Sequence, residues 1–154
     1  MELGSIDWQQ FWILGYVAFA MLLGALIGLD REMAGKPAGL RTHMLVAGAA
    51  TLFVMLGDLM VQRFDAELGG QVVRSDPIRV IEAVITGVSF LGAGTIIRHA
   101  PEQSVEGLTT AASLLFVTAV GVTVALSYLL LACGMTILVF VTLRVLGTMV
   151  RWVR

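Results

Sequence analysis

Long uncharged runs alternate with short charged ones along this chain. Apolar blocks run from Phe11 to Leu29, Leu40 to Val61, Ile78 to Ile97 and Leu108 to Leu143. A membrane-spanning helix needs about 20 apolar residues at about 1.5 Å rise. The first three blocks therefore each predict one crossing. The fourth is too long for one and carries no charge, so we divide it near Leu126-Ser127-Tyr128, although no Pro or Asn-Gly marks a turn there. The pattern predicts an all-α membrane protein of about five helices, near 11–29, 40–61, 78–97, 108–125 and 129–150. They are expected to form a single transmembrane domain over 1–154, with no soluble C-terminal domain.

Composition agrees. Of 154 residues, 58% are hydrophobic and 14% charged, against about 25% charged in a soluble domain. A net charge of −1 lacks the basic face that nucleic acid requires. The single cysteine, Cys133, has no internal disulfide partner and reads as a packing residue. The N-terminus carries Glu2 and Asp7 where a signal peptide carries Lys or Arg, so the first apolar segment is expected to stay as a helix.

Lys and Arg in short loops set orientation. Arg31, Lys36, Arg41, Arg98, Arg151 and Arg154 fall on one side, and Arg63, Arg74 and Arg79 on the other. The excess puts the Asp30–His43 loop and the C-terminus in the cytoplasm and the N-terminus outside. Trp8, Trp12 and Trp152 then stand at interfacial positions, and Tyr128 marks an outer turn. Helices in lipid associate through small residues. Gly24 and Gly28 have GxxxG spacing, and Gly48, Gly57, Gly87, Ser89, Gly92, Gly94 and Gly107 continue the supply. The predicted core is helices 1 to 4, with helix 5 peripheral and a homodimer through one glycine face as the expected assembly.

Three motifs carry a family resemblance. They are Leu22-Leu23-Gly24-Ala25-Leu26-Ile27-Gly28-Leu29-Asp30-Arg31-Glu32 with Lys36-Pro37-Ala38-Gly39-Leu40-Arg41-Thr42-His43; Asp76-Pro77-Ile78-Arg79 with Gly87 and Phe90 to Arg98; and Val105 with Gly107-Leu108-Thr109-Thr110-Ala111-Ala112. In order and spacing, from about Leu22 to Gly121, the chain resembles the MgtC/SapB family. The resemblance implies a multi-pass protein of the bacterial inner membrane, N-terminus out, linked to magnesium homeostasis. Some members look like regulators of other membrane proteins. Ser89, Glu106 and Leu115 depart from the usual Gly, Arg and Trp, and many members continue into a soluble domain beyond the point that corresponds to Arg154.

The candidate chemistry lies mainly at one end. Asp30 and Glu32 stand at a helix end whose last carbonyls are unpaired, a hard oxygen environment; a hydrated Mg²⁺ uses one or two carboxylates. Arg31 suits that dipole end, while Arg41, in the first turn of the next helix, does not and is expected to seek Asp30 or Glu32. The predicted functional cluster is Asp30, Arg31, Glu32, Lys36, Arg41, His43, Arg98, Thr109 and Thr110. Thr109 and Thr110 suit helix capping or interhelical hydrogen bonds equally well. Asp58 is a further candidate cation ligand at the opposite end, and Glu82 is expected to pair with Arg79 on the same helix face. No enzyme motif is present, so no catalytic residue is assigned, and Mg²⁺ is the one candidate ion. Two functions stay open: binding or moving a cation or small solute through a polar cytoplasmic-side cavity, and regulating another membrane protein by binding it. A structural subunit of a larger complex ranks below both.

Overall fold

A computed structural model of the chain describes residues 8–68, 77–99 and 104–146. Five α-helices follow in order: α1 (Trp8–Met33), α2 (Leu40–Leu68), α3 (Pro77–Ala93), α4 (Leu108–Ala125) and α5 (Leu129–Val141), the last continuing as a π-turn over Thr142–Leu146. α1, α2 through Arg63, and α4 are each long and apolar enough to cross a membrane. The protein is an all-α membrane protein. Arg74, Asp76, Gly147, Arg151, Trp152, Arg154 and the Arg98 side chain lie outside the described residues.

α4 occupies the centre and packs on every other helix. Its buried residues Thr110, Ser113, Leu114, Val117, Thr118, Val120, Gly121 and Val124 recur at helical spacing. They face Ala20, Leu23 and Ile27 of α1, Val46 and Ala47 of α2, and Ala132 and Val139 of α5. Small and hydroxylated residues fill the interior, while Leu22, Leu26, Phe53, Phe90, Leu130 and Leu138 point outward. That inversion is what lipid favours: large apolar groups gain nothing by leaving it, and close backbone approach supplies the packing.

The expectation that helix 3 joins the core is corrected. Among its described residues only Gly92 is buried, and a Cβ on Gly87 would meet nothing within 4 Å. Many of its apolar groups are instead free to face lipid. α5, expected at the periphery, contributes the buried Ala132, Thr136 and Val139, so α1, α2, α4 and α5 supply the core and α3 flanks it. Nor does helix 3 reach residue 97. Gly92 and Gly94 weaken it, Thr95 folds its hydroxyl onto the Gly92 carbonyl at 2.7 Å, and Ile97–His99 instead pairs antiparallel with Ser104–Glu106.

Two helix ends show why the chain turns where it does. At the end of α1, Lys36 N–H bonds the Arg31 carbonyl and Gly35 N–H bonds Glu32, each at 3.0 Å, with Gly35 at φ 64°. After α4 the same pattern recurs: Tyr128 N–H bonds Thr123 and Ser127 N–H bonds Val124, with Ser127 at φ 64°. Both are Schellman closures. The second confirms the division of the last apolar block at Leu126–Tyr128, with Ser127 taking the left-handed position that glycine usually fills.

Candidate functional site

The ends of α1, α2, α4 and α5 meet at the Asp30–His43 loop. Gly24 and Gly28 hold α1 against the start of α2. A Cβ on Gly24 would come 2.6 Å from the His43 carbonyl oxygen, and one on Gly28 would come 2.8 Å from Leu40 Cα. That contact places the loop residues.

Asp30 and Arg31 are both buried. Arg31 donates from Nε (3.1 Å) and Nη2 to Asp30 Oδ2. Arg144, on the π-turn after α5, reaches Asp30 Oδ1 at 3.5 Å. The Asp30 carboxylate thus faces guanidinium groups at both oxygens. Glu32 works differently: its Oε2 accepts the Leu40 backbone N–H at 2.7 Å and caps α2. A carboxylate there satisfies an orphan donor and suits the positive end of the helix dipole. Gly39 makes room, since a side chain there would overlap that carboxylate.

His43 is fully buried between α1, α2 and α4. Its Nδ1 lies 2.9 Å from the Gly39 carbonyl and its Nε2 3.0 Å from Ser113 Oγ. A carbonyl only accepts, so Nδ1 carries a proton. Ser113 Oγ also lies 2.8 Å from the Thr110 carbonyl. Among the described residues, no buried side-chain polar atom lacks a partner.

The structure therefore brings together Asp30, Arg31, Glu32, His43 and Thr110 of the predicted cluster. It does not bring in Arg41, which is exposed and joins neither carboxylate. Lys36 and Thr109 are exposed as well. Neither threonine caps α4: that position is Gly107, at φ 93° and with no side-chain cap, held beneath the Thr95 carbonyl where any Cβ would overlap. Thr110 contributes its backbone carbonyl instead. Asp58 lies 18 residues beyond Leu40, roughly 27 Å along α2, and holds the Gln62 amide at 2.7 Å. Arg79 and Glu82 form no ion pair with each other among the described residues.

Two residues escaped the sequence reading. Ser113 is absent from the predicted cluster, although its i+3 spacing from Thr110 puts both on one face. Arg144 is a charge inside the predicted last helix, and charges at such depth signal function by default.

As a magnesium site the arrangement fits poorly. Asp30 is enclosed by cations, Glu32 is committed to a backbone donor, and no three His, Cys, Asp or Glu groups converge among the described residues.

A model described as the MgtC family matches residues 17–152. A protein of Haemophilus influenzae is 32% identical over 141 residues, covering 92% of this chain and 58% of its own length. The putative magnesium transporter YhiD of Escherichia coli is 38% identical over 73% of this chain and 49% of its own length. Protein MgtC of Brucella abortus is 42% identical over 69% of this chain and 39% of its own length. The chain thus spans between about two fifths and three fifths of the relatives it matches. No solved structure matches it significantly. By the family model, which covers nearly all of the described helices, this chain belongs to the MgtC family.

Proposed function

We propose that this protein is a multi-pass component of the bacterial inner membrane that serves magnesium homeostasis by binding another membrane protein, without conducting the ion itself and without catalysis. The observation that carries this reading is the commitment of the two signature carboxylates: Asp30 to Arg31 and Arg144, Glu32 to the Leu40 N–H. Oxygens so engaged build a rigid helix junction. Around that junction Lys36, Arg41 and the half-exposed Arg144 offer a basic rim to a partner. The excess of Lys and Arg at this end supports a cytoplasmic placement, with the N-terminus outside, and a homodimer is the proposed assembly. The link to magnesium rests on the family and on its relatives' names.

The name of the E. coli relative favours a second reading, in which the protein transports magnesium. One assay separates the two. The full chain in liposomes loaded with a magnesium-sensitive dye is expected to give no flux above empty vesicles; flux above that level would overturn the regulatory reading. Photocrosslinkers at Lys36 and Arg41 in cells are expected to capture a second membrane protein, and self-crosslinks alone would count against it.

A further inference from the structure

The α2–α3 boundary is built differently from the polar junction. The helices touch at one end, where a Cβ on Gly57 would come 2.9 Å from Val80 Cγ2. Further along, α3 leans on α4 instead, with Gly92 set against Ala111 at 3.4 Å from its would-be Cβ. Between the diverging helices lies an open cleft of about 880 Å³, walled by apolar residues including Leu45, Ala49, Phe53, Ala83, Gly87 and Leu91. Among the described residues one charged residue lines it: Arg79, next to Val80 at the narrow end. Among the described residues Arg79 has no ion-pair partner, and neither Asp58 nor Glu82 lines the cleft.

We propose that this cleft binds one membrane phospholipid, with an acyl chain along the α2–α3 groove and the phosphate on Arg79. The walls repel hydrated ions and sugars. The contact at Gly57 and Val80 shuts out a partner helix, which is about 10 Å across with its side chains; a flexible hydrocarbon chain is thin enough to lie there. From Leu45 to Met60 the groove runs roughly 22 Å, longer than the roughly 15 Å of hydrocarbon in one leaflet. The guanidinium fork matches a phosphate's oxygens, and its place at one end of an apolar trough matches the layout of a lipid.

The test uses the full chain exchanged into phosphatidylcholine nanodiscs containing phosphatidylglycerol, then released for native mass spectrometry. One phosphatidylglycerol is expected to stay with each chain. Gly87→Trp fills the cleft from a lining position whose added Cβ would meet nothing within 4 Å. Arg79→Gln removes the cation. Each is expected to reduce retained lipid by about tenfold, the loss of one charge-assisted contact or its equivalent in apolar burial. Gly134→Trp, equally open but on α5, is expected to leave retention unchanged. Either cleft variant holding lipid at the wild-type level overturns the proposal, as does equal loss in Gly134→Trp. Capture of a second copy of the chain, in place of lipid, by a photocrosslinker at position 87 overturns it too.

Discussion

The Ser113 hydroxyl of α4 stands 3.0 Å from His43 Nε2 on α2 and 2.8 Å from the Thr110 carbonyl, and it has one proton for the two. With Nδ1 donating to Gly39, a neutral ring offers Nε2 as an acceptor, and Ser113 donates to it. A doubly protonated ring donates to Ser113 instead, which turns the hydroxyl to Thr110. In either state a buried chain of hydrogen bonds ties the start of α2 to the first turns of α4.

Breaking that chain leaves a ring nitrogen buried without a partner. Ser113→Ala is expected to cost about 1–3 kcal/mol. Combined with His43→Gln in a double-mutant cycle, it should show a coupling of about 1 kcal/mol. Unfolding in mixed micelles measures this, and strictly additive effects would show that the two side chains do not depend on each other.

Glu32 is predicted to behave as a helix cap. Glu32→Ala should lower stability by about 1 kcal/mol, and Glu32→Gln by less, since an amide oxygen still accepts the Leu40 N–H. Melting with and without Mg²⁺ separates this from a cation-ligand role. A ligand would make the wild type melt higher in Mg²⁺, and would make Gln as damaging as Ala to that increment.

The glycines should divide by what they touch. Gly28→Ala places a methyl 2.8 Å from Leu40 Cα and 2.9 Å from His43 Cβ, so α1 and α2 must part, at about 1–3 kcal/mol. Gly15→Ala and Gly134→Ala meet nothing within 4 Å and should be neutral or slightly stabilising, as helix propensity favours alanine. Thermal unfolding of the three in one detergent decides it; equal effects would mean that backbone approach is not what makes Gly28 necessary.

Block length and charge were enough to read the helices, and even the turn at Ser127, which has no glycine or proline, followed from the excess length of one block. The end of helix 3 did not follow, because Ile96 and Ile97 are as apolar as the helix before them and only pairing with Ser104–Glu106 shows the change. In the site, GxxxG spacing marked Gly24 and Gly28 as a packing face, and the structure sets the start of α2 against it. The ion-pair partners were not legible: dipole arguments sent Arg41 toward Asp30 or Glu32, whereas the fold brings Arg144 to Asp30 from the far end of the chain. Local electrostatics rank candidates along one loop and say nothing of a helix that returns 114 residues later.

The two arginines on Asp30 should have unequal weight. Arg31 is buried with Asp30 and makes two hydrogen bonds to it. Asp30→Asn leaves that guanidinium uncompensated in a low-dielectric junction, a loss of about 3–5 kcal/mol where one partner of a buried pair is removed. Arg144 is 56% exposed and sits 3.5 Å away, so Arg144→Gln should cost no more than about 1 kcal/mol. Because Arg144 joins the end of α5 to the end of α1, its loss should show instead as a longer distance between spin labels at positions 33 and 145, with little change in unfolding. The Asp30–Arg31 pair makes the opposite prediction: a large loss of stability. If Asp30→Asn were mild and Arg144→Gln severe, Arg144 and not Arg31 would be the counter-ion that holds Asp30 in place, and the junction would depend on α5 rather than on α1 alone.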